Sequence, residues 1–320
     1  MRRILAALAV AATVFAAAAC TSDDGGKPAP PAGGGTRISL GVIPIVDVAP
    51  AYLGKKKGFF SSRGLDLTLV QEQGGAAIVK GVAGGRYQFG FSNATSLMAA
   101  QADGVPLKVV ANGVTSNGRP GRDFSAVVVP DDSPIKSAKD LAGKKIGVNA
   151  LKSLGDTTVR QSVRRAGGDP AKLVFTALPF PEMPAALQSG QIDAAWVVEP
   201  QLSEALTQGS QVIASNFVDT AADLTVALYF TGSTTATQDA DVVGRFTAAI
   251  NESMAYATAH PEEVRDIIGT YTPISDVVRT SMILPDWPHD INRPSLERLA
   301  TLGSEDGIFT RPPALDQLLP

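Results

Sequence analysis

From residue 37 the chain alternates short apolar, β-branched runs with stretches of helical spacing. ISLGVI at 38–43 is the first run. Others follow at 65–70, 88–91, 107–111, 125–129, 145–148, 173–177, 192–198 and 212–214. Between them the pattern predicts helices over 51–57, 76–82, 95–102, 157–166 and 183–188. Short strands separated by helices are the pattern of open α/β sheets with helices on their faces. Beyond Thr231 the period changes. Val242, Val243, Phe246, Ala249, Ile250, Met254 and Ala257 share one face of a long amphipathic helix. Pro261-Glu262-Glu263 opens another, with proline and acids in its first turn.

Two stretches repeat one plan: AAIVKGVAGGRYQFGFSNATS at 76–96 and MPAALQSGQIDAAWVVEPQ at 183–201. Each reads as a helix, a terminating glycine (Gly85, Gly190), an apolar strand, and a polar loop that starts the next helix. A generic helix–strand unit has the same outline, so the repeat alone leaves both readings open. Open α/β sheets bind ligands beyond the carboxyl ends of their strands. The polar loops, Ser92-Asn93-Ala94-Thr95 and Glu199-Pro200, occupy those places. Two such halves imply a cleft.

The N-terminus carries a different signal. Met1-Arg2-Arg3, an apolar stretch from Ile4 to Phe15 and the small residues Ala16 to Ala19 have the layout of a secretory signal. The apolar stretch is too short for a comfortable membrane span. Cys20, the sole cysteine, follows it directly and resembles the acylated cysteine of a bacterial lipoprotein, although Ala17 stands where leucine is preferred. The alternative is ordinary secretion with a free thiol. Residues 21–36, TSDDGGKPAPPAGGGT, read as a flexible tether. Without residues 1–19 the chain has 26 Lys+Arg against 31 Asp+Glu, a net charge of −5 that gives no footprint for nucleic acid. With one cysteine and two widely separated histidines, His260 and His289, no metal site and no cofactor are expected. A G-x-x-x-x-G-K-[ST] loop is absent from the sequence, so ATP hydrolysis is not expected of this chain.

Several residues carry candidate binding chemistry. Asp47, in the Pro44-Ile45-Val46-Asp47 loop after the first strand, either accepts a ligand hydrogen bond or caps the next helix. Gln73-Gly74-Gly75 either offers amides at a helix start or makes a simple turn. Ser92, Asn93 and Thr95 cluster at a strand-to-helix switch, where one of them is expected to cap. Ser153, Gly155 and Thr157 open a helix whose amides suit an anion or a carbonyl, with Asp156 as a cap. Glu199 favours a ligand with N–H or ammonium donors; the alternative is a helix-start acid held by the dipole. Phe180 can stack on a ring, whereas Trp196, along a strand, is expected to pack in the core. Trp287 is either an anchor or a lid, and Arg119 and Arg122, near the hinge, either reach an anionic ligand or are solvated surface arginines. An enzyme alternative also exists. GFSNA at 90–94 is one residue from the G-x-S-x-G nucleophile elbow, which would make Ser92 the nucleophile of a secreted serine hydrolase.

AYLGKKKGFFSSRGLDLTLV (51–70), the 74–111 segment, VVVPDDSPIKSAKDLAGKKIGVN (127–149) and GQIDAAWVVEP (190–200) together resemble bacterial ABC-transporter solute-binding proteins. The branch is that of nitrate, sulfonate, taurine and thiamine-precursor receptors, the SsuA/THI5-like group. The resemblance covers about 37–230. It implies an α/β, two-lobe type II periplasmic-binding fold, each lobe an open α/β sheet, with two β crossovers as hinge. Lobe one would comprise 37–123 and 226–320, lobe two 124–225, with crossovers near 124–127 and 224–227. It further implies a monomer that binds a small molecule between its lobes and delivers it to an ABC permease with a separate ATPase subunit. Such a receptor is tethered by the Cys20 lipid to the outer face of the cytoplasmic membrane. The expected ligand set is Pro44, Asp47, Gln73, Gly74, Ser92, Asn93, Thr95, Asn112, Ser153, Gly155, Thr157, Phe180 and Glu199.

Overall fold

The apolar runs form ten strands in a computed structural model that describes residues 35–320. The signal segment, Cys20 and the tether up to Gly34 lie outside the described residues. The strands are β1 (Thr36–Val42), β2 (Leu65–Gln71), β3 (Phe89–Asn93), β4 (Leu107–Thr115) and β5 (Ser125–Pro130), then β6 (Lys145–Val148), β7 (Val174–Ala177), β8 (Ala194–Val198), β9 (Ser210–Ala214) and β10 (Thr225–Gly232). They make two five-stranded sheets, ordered β2-β1-β3-β10-β4 and β7-β6-β8-β5-β9.

The two orders are the same once β1 to β4 are matched with β6 to β9. In each sheet the fourth place is taken by a strand outside that matched set, β10 in the first and β5 in the second; each directly follows a crossing between the sheets and runs antiparallel to its neighbours. The repeated plan of the sequence thus appears as β3 and β8, the central strands of the two sheets. Gly85 and Gly190 precede them with φ of +74° and +70°, left-handed values that side chains rarely adopt.

β10 goes beyond the sequence expectation, which placed only a crossover at 224–227. TVALYFTG is buried along almost its whole length and shows no polar alternation, the signature of a strand covered on both faces. The crossing segments are 116–124, between β4 and β5, and the stretch before β10. Ser116 N donates to Leu224 O at 2.9 Å and so ties the two together. Asp123 is buried beside them; its carboxylate accepts from Ser116 Oγ (2.6 Å), Asn117 N (3.1 Å) and Phe124 N (2.9 Å).

The helices lie where the spacing predicts. The long one, Ala240–Ala259, buries Phe246, Ala249, Ile250, Met254 and Ala257. Phe246 stacks on Phe89 of β3 with ring centres 3.8 Å apart, fixing the C-terminal helices to the first sheet. No helix among the described residues is long and apolar enough to cross a membrane.

Candidate ligand-binding cleft

Parallel strands deliver the loops at their carboxyl ends to one edge of a sheet. Here the two edges face each other. From the first sheet come Asp47 after β1, Phe91 and Asn93 on β3, and Val226 and Ala227 on β10. From the second come Asn149 after β6, Leu154 and Phe180 at helix starts, Trp196 and Val198 on β8, and Phe217. With Ile43 and Ile45 these residues enclose a cavity of about 30 Å³ of water-accessible volume, room for about two water molecules. A larger solute enters only if the sheets part.

The wall is aromatic. Phe180 meets Trp196 edge-on at 5.3 Å, and Trp196 meets Phe217 edge-on at 6.1 Å. Gly155 permits this arrangement, since a Cβ there would lie 2.3 Å from Trp196 Cε3. Trp196 Nε1 donates to Ser125 Oγ at 2.8 Å, which fixes the ring and engages its donor.

Against this wall stands Asp47, 2% exposed, with Oδ1 lacking any hydrogen-bond partner among the described residues. Burial, with a smaller contribution from Asp123, pushes its pKa up to about 7. Asn149 Oδ1 is likewise buried without a donor. Native proteins leave few buried polar atoms unpaired, and those that remain point to strain or to a missing partner.

Of the thirteen expected ligand residues the cavity brings together three: Asp47, Asn93 and Phe180. Asn93 is also a cap, its Oδ1 accepting from Ser96 N at 2.8 Å. Gln73 is exposed and Gly74 half-buried, both outside the lining. Ser92 lies one residue from both Phe91 and Asn93, so strand alternation turns it to the opposite face. Its hydroxyl rests against Gly75, where an added Cβ would be 2.2 Å away. Pro44 offers its carbonyl to Thr272 Oγ1 (3.1 Å), and Thr157 Oγ1 turns back to Ser153 O (3.4 Å). Thr95 is buried with its hydroxyl unpaired, also outside the lining. Ser153 bridges the halves at the cavity margin, 3.0 Å from Ser96 Oγ and 3.4 Å from Asn93 Oδ1.

Two of the expected contacts already have protein partners, although Asn112 Oδ1 stays buried and unpaired among the described residues. Asn112 Nδ2 donates to Pro288 O (2.9 Å) and Asp290 O (3.0 Å), so it holds the C-terminal segment against β4. Glu199 accepts from Ser203 N (3.0 Å), Ser203 Oγ (2.9 Å) and Ile283 N (2.9 Å). Both its oxygens therefore have protein donors, although burial still pushes its pKa up to about 7. Trp196, expected in the core, packs there and also forms cavity wall. Trp287 is an anchor, its Nε1 donating to Asp47 O at 3.1 Å. Arg119 and Arg122 are exposed and outside the lining.

Ser92 also lacks the machinery of a hydrolase. His260 bonds Tyr256 O at 2.8 Å and His289 bonds Asp290 at 3.0 Å, both on the exposed surface. No donor or acceptor bonds the Ser92 hydroxyl among the described residues, so no base activates it.

Asn149, Phe91 and Phe217 escaped the sequence reading. Asn149 had a usable signal, because it is a polar residue directly after the carboxyl end of β6. Phe217 comes from a helix after β9 and had none.

Comparison with known proteins places this geometry. The nitrate/nitrite binding protein NrtA of Nostoc sp. is 25% identical over 189 residues, 54% of this chain; this chain spans 43% of that protein's length. The alkanesulfonate-binding protein SsuA of Xanthomonas axonopodis, solved with MOPS, superposes with a TM-score of 0.76 at 16% identity, over 90% of this chain and 99% of SsuA. The desulfurization enzyme DSZB shares the fold at a TM-score of 0.62 and 16% identity, over 88% and 95%. These structures establish a two-lobe periplasmic-binding fold. The sequence model of the family described as NMT1/THI5 like matches residues 45–264, more than half of the chain, and this protein belongs to that family.

Proposed function

We propose that this protein is the solute-binding component of an ABC importer and that it binds a small organic molecule between its two sheets. One observation carries the reading: Asp47 and Asn149, each with a buried oxygen that has no partner among the described residues, both line an aromatic cavity walled by the two sheets. A solute there contacts both halves only when they are together, so its binding energy favours closure. The lobes are taken as 37–123 with 226–320, and 124–225. Their hinge is the pair of crossing segments joined by Ser116 and Leu224. The closed form would be read by a permease whose ATPase is a separate subunit. Export, acylation at Cys20 and a monomeric state complete the proposal, and they rest on the N-terminal sequence and on the family.

The shared fold of DSZB makes an enzyme the second reading. The fold neither requires nor excludes chemistry; a Ser92 hydroxyl with no partner among the described residues counts only against the serine-hydrolase form of that reading. Thermal unfolding in the presence of a fractionated metabolite extract tests the proposal. A bound solute at about 100 times its Kd adds about 2.7 kcal/mol and raises Tm by on the order of 5 °C. Turnover of a solute, or no shift with any fraction, contradicts it.

A further inference from the structure

The cavity's polar groups are unbalanced. Its one ionisable group is an acid, Asp47, and among the described residues no lysine, arginine or histidine lines it. Asp47 Oδ1 and Asn149 Oδ1 both await donors. The lining's own side-chain N–H donors are the amides of Asn93 and Asn149, because the indole of Trp196 is engaged with Ser125; backbone amides are added where Leu154 opens its helix. Around these groups stand the rings of Phe91, Phe180, Trp196 and Phe217. A carboxylate that is buried without a partner is costly. An oxyanion placed beside that carboxylate would add charge repulsion. A cation would do the reverse, pairing with the carboxylate and resting on the electron-rich ring faces.

Taking the receptor reading as given, we propose that the solute is a small organic cation, held by the Asp47 carboxylate and caged by the four aromatic rings of the cleft. Asn149 Oδ1 accepts a second N–H where the cation carries one. This separates the chain from its relative NrtA, named for nitrate and nitrite, and from SsuA, named for alkanesulfonates. Glu199 takes no part, since Ser203 and Ile283 already satisfy its carboxylate.

The test is calorimetric titration of the purified full-length chain at pH 8 with methylammonium, tetramethylammonium and 4-aminopyridine as cations. Nitrate and methanesulfonate serve as anions. The expected result is saturable binding of at least one cation, weakened about tenfold or more in Asp47→Asn and unaffected in Lys136→Ala on the exposed surface. Asp47→Ser, with thermal unfolding of each variant, separates loss of binding from loss of fold. Saturable binding of nitrate or methanesulfonate overturns the charge assignment and leaves the receptor reading intact. Equal cation affinity in Asp47→Asn does the same. A panel in which no cation binds overturns the assignment too, whereas the receptor reading fails separately, when no extract fraction stabilises the chain.

Discussion

Asp47 shows how position in the fold decides what a residue does. A carboxylate after a first strand is either a cap or a contact, and the sequence leaves both open. Burial without a donor settles its character by raising its pKa from 3.8 to about 7. An acid with a raised folded-state pKa holds its proton more firmly when folded than when unfolded. Its stabilising effect is full below the unfolded pKa and is lost as pH rises towards about 7. Asp156, raised to about 6 by burial, acts in the same direction. The unliganded chain is therefore expected to lose stability between pH 5 and pH 8. Asp47→Asn should flatten that slope and raise stability at pH 8 by on the order of 1–4 kcal/mol. Chemical denaturation at the two pH values measures both effects, and a steeper slope in the variant would contradict them. Gly155 gives a steric counterpart. Gly155→Ala sets a Cβ against Trp196, with an expected cost of about 1–3 kcal/mol read by the same denaturation.

At the level of elements, most strands and helices were legible because each carries its own period. β6 and the helix Met183–Gln188 fall where the pattern puts them. What escaped was set by contacts distant in sequence. β10 lacks alternation because both its faces are covered. Ser92, Asn93 and Thr95 are expected together at the switch, yet strand parity turns Ser92 away from the cavity, and a cluster of short polar residues does not reveal parity. Asn112 and Glu199 meet partners 176 to 178 and 84 residues away, which no local motif can announce. The Glu199–Ile283 bond makes a prediction of its own. Glu199→Ala leaves the amides of Ser203 and Ile283 without acceptors and should cost about 1–3 kcal/mol, with faster hydrogen exchange at Ile283. Unchanged protection there would refute the bond.

Across the whole molecule, contacts between the halves lie away from the cavity as well as beside it. Val46 N donates to Glu199 O (3.1 Å), Ser153 meets Ser96, and Arg164 pairs with the nearly buried carboxylate of Asp306. Arg164→Ala removes one of these without touching the cavity. It is expected to lower the closed population and so weaken apparent affinity in proportion, while an intersite distance measured by spectroscopic labels on Lys80 and Lys172 positions lengthens in the unliganded chain. An unchanged distance would show that the pair does not hold the lobes.

The most direct test of a solute clamped between the sheets is native mass spectrometry of the chain after incubation with a cellular metabolite extract. It should be run beside Asn149→Phe, which fills the cavity from a loop. The account predicts one small molecule retained per wild-type chain and none in the variant. A wild-type chain that retains nothing, or a variant that retains the same molecule, would contradict it.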